Sequence, residues 1–274
     1  MHISQILPNI ALLESTQQTS TMKIHIHPNY SKYDSFIRNI PSQNYKVEKV
    51  YCNKRNTVER VRIGDSLFVV KKYKRPTLAN CVIYTWFRKS KARRSFEYAE
   101  KLLEEGIATA EPVAYIEIKK FGFFHTGYFI SKFIPHPTLN EIDGLKEEDL
   151  DLAKKDFIQF TADLHKRNII PLDYNKGNIF FYKEGEHFNF ALVDINRIRF
   201  GKTNLKTQVK AFEQLGLCLN TDICALLAYA KILNYDLEDV LWKTLINRKE
   251  GRTKKALKKA LKKTIKIITL KKTA

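Results

Sequence analysis

LHKRNIIPLDYNKGNIFFYKEGEHFNFALVDINR, residues 164–197, is the stretch on which the reading of this chain turns. Two aspartates and an asparagine stand in it at the edges of apolar runs. Asp173 and Asn178 bracket a polar loop, and Ile179-Phe180-Phe181 follows Asn178 directly. Asp194 ends the run Phe190-Ala191-Leu192-Val193. The segments Asn178–Tyr182 and Phe188–Val193 have the length and composition of strands, and the polar Lys183–His187 between them predicts a hairpin. A carboxylate at the end of so apolar a run is costly unless it is paired or bound to a metal. Asn178 and Asp194, on adjacent strands of that hairpin, offer two hard oxygen donors of the kind Mg²⁺ takes. Asp173 can accept the proton of an attacking hydroxyl. Taken singly, a D-x4-N spacing is common and Asp194 is equally a turn or N-cap residue. The order and separation of the three give the set its meaning.

Upstream, Lys146–Lys166 carries Leu152, Phe157, Thr161 and Leu164 at helical spacing. Further back, Val47–Cys52, Thr57–Ile63 and Ser66–Tyr73 read as strands, Ser90–Glu105 as a helix stopped by Gly106, and Val113–Ile118 and Phe123–Phe133 as two more strands. Pro135-His136-Pro137 suits a stiff linker. Downstream, residues 203–247 are expected to be helical, with Phe212, Leu215, Leu219, Ile223 and Leu227 forming the apolar stripe. Strands gathered before the linker and helices after it predict an α+β, two-lobed architecture: a small antiparallel sheet with one helix, then a mostly helical half. The expected divisions are a disordered extension at 1–21, a sheet lobe at 22–134, a helical lobe at 135–247 and a basic tail at 248–274.

Phosphoryl transfer needs positioning and positive charge around phosphates. Lys71 ends the apolar strand Phe68-Val69-Val70, and alternation puts it on the face of Val69, which selects it over Lys72 as a phosphate clamp. Glu97 on the following helix, with Glu100 in reserve, is the expected partner of that lysine. On this reading Asp173 is the base, Asn178 and Asp194 hold the metal, and Lys71 grips the nucleotide.

From about Tyr45 to about Tyr229 the chain resembles the lipopolysaccharide core kinase family, of Kdo kinase and heptose kinase type. The resemblance rests on Val69-Val70-Lys71-Lys72-Tyr73, on Lys91–Ala99, on Glu111-Pro112-Val113-Ala114-Tyr115, on Asp173–Asn178 and on Asp194-Ile195-Asn196-Arg197. It implies a protein-kinase-like fold, ATP and Mg²⁺ as cofactors, and as acceptor a sugar hydroxyl of the lipid-anchored inner core at the cytoplasmic face of the inner membrane. Three positions depart from the kinase pattern. The turn Asn53-Lys54-Arg55-Asn56 has no glycine, which leaves Lys54 and Arg55 as the cations that would meet phosphate there. Pro171 stands where a histidine is usual before the catalytic aspartate, and Ile195-Asn196 replaces Phe-Gly after Asp194. The helical stretch begins soon after Arg199, so a long activation segment has no room and a small-molecule or glycolipid acceptor is favoured over a protein.

The net charge of +19 calls for an anionic partner. Twelve Lys and Arg and one acid, Glu250, fall at 248–274, and Leu257, Ala260, Leu261, Ile265 and Ile268 repeat there at helical spacing. Such a helix would lie on an anionic membrane, which predicts a peripheral protein on the inner face of the inner membrane. Specific nucleic-acid binding is not expected, because the aromatics of Phe121–Phe124 and Phe180-Phe181-Tyr182 read as core and not as stacking platforms. A catalytically degenerate scaffold and an antibiotic phosphotransferase are the other readings of the same fold. Cys52, Cys81, Cys218 and Cys224 form no CxxC pair and read as reduced thiols, and His25-x-His27 alone makes a poor metal site.

Overall fold

The computed structural model describes residues 20–54, 56–215, 219–247, 249–250 and 253. The chain divides into two units, Met1–Pro135 and His136–Ala274, so the boundary falls inside Pro135-His136-Pro137, one residue beyond the expected position. The first unit runs β1 (Ser20–Ile26), α1 (Asp34–Asn39), β2 (Val47–Asn53), β3 (Asn56–Ile63), β4 (Ser66–Tyr73), α2 (Leu78–Val82), α3 (Lys91–Glu104), β5 (Pro112–Lys120) and β6 (Phe123–Lys132). Ser20 and Thr21, expected to belong to a disordered extension, are instead the first residues of β1, and Ser20 pairs with Lys120. The rest of that extension, 1–19, lies outside the described residues.

The strands form one six-stranded sheet in the order β1-β5-β6-β4-β3-β2, antiparallel throughout. Period-2 alternation gives each strand two different faces. Phe68 and Val70 of β4, Ala114 and Ile116 of β5 and Tyr128 and Ile130 of β6 share one face, closed by Ile37 and Ile40 from the α1 region. Tyr73, Tyr115 and Phe129 share the other, closed by Ala92 and Phe96 of α3. Gly127 lets α3 come close: a Cβ there would stand 3.1 Å from the Ala92 Cβ and 3.1 Å from the Ile116 carbonyl oxygen. α3 starts on Ser90, whose side chain accepts from the Arg93 N–H, and stops at Gly106 with φ +71°. β2 is one of the two outer strands, and its pairing with β3 shifts register twice, between Val47 and Lys49 and between Val50 and Cys52.

The second unit holds α4 (Glu147–Lys166), β7 (Ile169–Pro171), β8 (Ile179–Glu184), β9 (His187–Leu192), β10 (Ile198–Phe200), α5 (Leu205–Glu213) and α6 (Leu219–Leu233), with a further helical stretch at 237–247. α4 carries Glu147, Glu148 and Asp149 in its first turn and His165 and Lys166 in its last, which suits its dipole. β8 and β9 form the predicted hairpin, and β7 pairs with β10. The helical region expected over 203–247 turns at Asn234, which takes φ 54°, before the helical stretch at 237–247. Leu227, expected in the apolar stripe, is exposed, while Ala225, Leu226, Tyr229 and Ala230 are buried. The expected stripe positions Leu219 and Ile223 have side chains outside the described set.

Candidate active site

β8 begins one residue after Asn178, and β9 ends two residues before Asp194, so the hairpin fixes both from one scaffold. The Val193 N–H donates to the Asn178 carbonyl at 2.9 Å. The loop before β8 is anchored from below by Tyr174, wholly buried, with its ring stacked on Phe157 of α4 and its hydroxyl 2.8 Å from Thr161 Oγ1. Burial holds the Tyr174 phenol far above its ordinary pKa, so it stays a neutral anchor. The Leu172 N–H donates to the Arg197 carbonyl at 3.1 Å and ties this loop to the turn after Asp194.

These constraints bring Asp173, Asn178, Asp194 and Arg197 around one small notch, together with Pro171, Leu192 and Ile198. Asn178 donates its amide nitrogen to the Asp173 carbonyl at 3.0 Å, which leaves its oxygen as the atom able to meet a cation. Asn175 repeats the pattern: its amide nitrogen donates to the same carbonyl at 3.2 Å and its oxygen accepts from the Gly177 N–H at 3.1 Å. Asp194 adopts φ 54° and ψ 39°, a left-handed conformation that is uncommon outside glycine and is tolerated best by Asn and Asp. Asn196 donates to its Oδ1. A non-glycine residue held in that region by the structure around it points to a site where side-chain direction matters. Both oxygens of Asp173 lie 2.9 Å from Arg197 Nη1. The sequence alone marks Arg197 for no role of its own, because 24 positions separate it from Asp173 and hide the pair.

The donor chemistry fits a magnesium ion: one carboxylate and one amide oxygen, with remaining positions for phosphate oxygens and water. Among the described residues no group of three or more His, Cys, Asp or Glu could form an all-protein metal cage.

In the first unit Lys71 lies on the α3 face of β4, with Nζ 5.4 Å from the Tyr73 ring centroid, and Tyr73 in turn meets Ser95 of α3 through a 2.7 Å hydroxyl contact. Glu97 does not take the place expected of it beside Lys71. Its two oxygens are held by Lys89 at 2.8 and 2.9 Å and by Arg93 at 2.8 Å. Burial pushes the Glu97 carboxyl up, but the hydrogen bonds from Lys89 and Arg93 outweigh that and leave it below the usual carboxylate range. The i,i+4 spacing of Arg93 and Glu97 makes this pairing the local choice of the helix. Glu100, the reserve, sits near His25 and His27, and burial raises its carboxyl. Lys54 lines a cavity with Lys72, Lys74 and Arg75, and Lys71 is not among the residues that line it. Arg55 lies outside the described residues.

No family model and no curated protein matches the chain. Among solved structures, WaaP in complex with acyl carrier protein is similar at a TM-score of 0.57 and 15% identity, over 83% of this chain and 98% of that one. WbdD, co-crystallised with a kinase inhibitor, is similar at a TM-score of 0.41 and 12% identity, over 74% of this chain and 45% of that one. The kinase domain of Mycobacterium tuberculosis PknI is similar at a TM-score of 0.38 and 11% identity, over 71% of this chain and 76% of that one. With its antiparallel sheet, the α3 layer and the helical second unit, the chain has a protein-kinase-like α+β fold, as the resemblance in the sequence implied.

Proposed function

We propose that this protein is an ATP-dependent kinase that phosphorylates a sugar hydroxyl, Kdo or heptose, of the lipopolysaccharide inner core. One observation carries the reading: Asp173, Asn178 and Asp194 line a single notch, with Asp194 in a left-handed backbone state, in a protein-kinase-like fold. The resemblance of the sequence to lipopolysaccharide core kinases supplies the acceptor class.

In the mechanism proposed, Lys71 orients the nucleotide phosphates, and Asn178 and Asp194 are the residues that would hold Mg²⁺. A magnesium ion held there would supply neutralisation of the charge that builds on the phosphoryl oxygens. Asp173 orients the acceptor hydroxyl and accepts its proton as the oxygen attacks the γ-phosphorus and the bond to the β-phosphate oxygen breaks. Arg197 must share Asp173 with the acceptor. An ion pair this exposed is worth no more than about 1 kcal/mol, so an incoming hydroxyl can compete for the carboxylate. The basic stretch 248–274, most of it outside the described residues, is proposed to hold the protein on the inner face of the inner membrane, within reach of a lipid-anchored acceptor.

Mass spectrometry of lipid A–core from cells with and without the gene tests the reading, and loss of one phosphate is the result expected. A core of unchanged phosphate content would refute the assignment of substrate. The second reading is a scaffold without turnover, favoured by the Arg197 grip on both oxygens of Asp173. Equal ATP consumption by the wild type and Asp173→Ala would select it.

A further inference from the structure

Opposite the α3 face, at the far end of the sheet, β4, β5 and β6 leave an open cavity of about 500 Å³. Five cations reach it: Lys54, Lys72, Lys74, Arg75 and Lys120. No Asp or Glu lines it, and none of the five makes an ion pair among the described residues. Five like charges around one opening repel each other unless an anion enters. His125, on the same rim, reports that field. Burial lowers its imidazole below the usual histidine range, and Lys120 and Arg75 lower it further.

Arg75, Lys120 and His125 also line a second cavity of about 400 Å³, whose other walls include Leu78, Val82, Phe121 and Phe123. The two cavities therefore adjoin across these three side chains. Beside the second, large apolar side chains stand exposed: Phe87 is 80% exposed, Leu78 78%, Phe121 69% and Trp86 63%. Trp86 and Phe87 also line a third cavity with Lys23, Arg88, Lys89, Lys119 and one acid, Glu117. Trp86 packs edge-on to Phe123 with ring centroids 5.3 Å apart. These rings are held out by structure. The π turn Ile83–Phe87 follows α2 and is fastened to β6 by the Phe124 N–H donating to Thr85 Oγ1 at 2.9 Å. Phe121, with φ 52°, and Gly122 form the tip of the β5–β6 turn. The expectation that Phe121–Phe124 belong to the core thus fails for Phe121 and Phe123, and only Phe124 is buried.

A soluble surface rarely gathers exposed aromatics in one place without a partner. Aromatics that end a protein surface, bordered by unpaired cations, match one environment in both respects: the boundary of an anionic bilayer, where rings sit among headgroups and cations meet phosphates. We propose that α2, the π turn and the β5–β6 turn form a membrane-docking face, with the apolar rings entering the headgroup boundary and the basic cavity receiving lipid phosphate. This extends the membrane part of the proposed function to a surface outside the tail, and it requires neither the tail nor catalysis. Vesicle binding and phosphoryl transfer therefore fail separately.

The chain has two tryptophans, Trp86 and the exposed Trp242, so Trp242→Phe in the full chain leaves Trp86 as the sole indole reporter. With vesicles of phosphatidylcholine and phosphatidylglycerol, the Trp86 emission is expected to shift to the blue and to be quenched by brominated acyl chains. Phosphatidylcholine alone should give neither effect. Phe87→Ser with Phe121→Ser, both at exposed positions, should weaken partition about tenfold. Lys74→Gln, Arg75→Gln and Lys120→Gln should each weaken it about fivefold. An unshifted Trp86 in a chain that still sediments with vesicles overturns the proposal. A lipid-free blue shift that grows with protein concentration would assign the face to a second copy instead. A lipid-free red shift on deletion of residues 1–19 would assign it to the chain's own N-terminal segment.

Discussion

His165 stands on the last turn of α4, eight positions before Asp173, and it is buried. Its Nδ1 meets the Tyr229 hydroxyl, and its Nε2 has no hydrogen-bond partner among the described residues. An unsatisfied acceptor is tolerated in a buried site more readily than an unsatisfied N–H, so the neutral ring carries its proton on Nδ1 and donates to Tyr229. A second proton would place an N–H on Nε2 with nothing to receive it. Burial accordingly pushes the imidazole from 6.5 down to about 4. The sign follows from linkage. Between about 4 and 6.5 the unfolded chain binds a proton that the folded chain does not. Stability from this group is therefore full above pH 6.5 and is lost as the pH falls toward 4. The shift corresponds to about 3 kcal/mol, with a maximum slope near 1.4 kcal/mol per pH unit. Urea denaturation of the second unit, followed by far-ultraviolet circular dichroism from pH 4 to 7, measures it. His165→Phe should lower the slope of stability against pH by close to one proton over that window. Because the variant leaves the Tyr229 hydroxyl unpartnered, it should also lose about 1–3 kcal/mol at pH 7. His165→Phe with Tyr229→Phe should keep the flattened slope and recover part of the loss. Equal slopes in wild type and both variants would refute the argument, since a histidine that titrates alike in both states contributes no pH dependence.

Asp194→Asn keeps a residue suited to the left-handed backbone and removes the charge, so phosphate transfer should fall by roughly 10²-fold or more with the melting temperature unchanged. Radiolabelled transfer and a thermal melt, run side by side, check it. Glu97→Gln should cost at most about 1 kcal/mol and leave turnover within a few-fold of wild type, because that carboxylate serves Lys89 and Arg93; abolished turnover would mean that Glu97 serves the chemistry after all. Gly127→Ala presses a methyl group against Ala92 and the Ile116 carbonyl and should destabilise the first unit by about 1–3 kcal/mol, read as a lowered denaturation midpoint.

The strand-then-helix order, the β8–β9 hairpin and the loop from Asp173 to Asn178 were legible because short-range signals specify them: alternation, a glycine-bearing turn, an N-cap serine before α3. β1 was not: Met22, Ile24 and Ile26 do alternate with Lys23 and His25, but the run is short and is stabilised by pairing along β5, nearly a hundred positions away in the chain. The partner of Glu97 was misread for a related reason. Position on the helix that follows Lys71 suggests that lysine, while the i,i+4 Arg93 is the nearer partner and takes the carboxylate. Arg197 escaped notice because nothing local marks a cation that closes on a carboxylate two loops away. The aromatic turn at Phe121–Phe124 shows the limit of hydropathy: the composition of a run cannot say which side of a turn faces water.

The outer strand β2 exposes Val47, Val50 and Tyr51 along an open row of backbone donors and acceptors, a surface on which a foreign strand can crystallise into a growing stack. Its two register shifts break the even spacing that such templating needs, and Lys46 and Lys49 add charge along the same border. Straightening β2 by deleting one of those irregular positions would alter no residue between Asp173 and Arg197 and would still be expected to make the chain assemble sideways with itself.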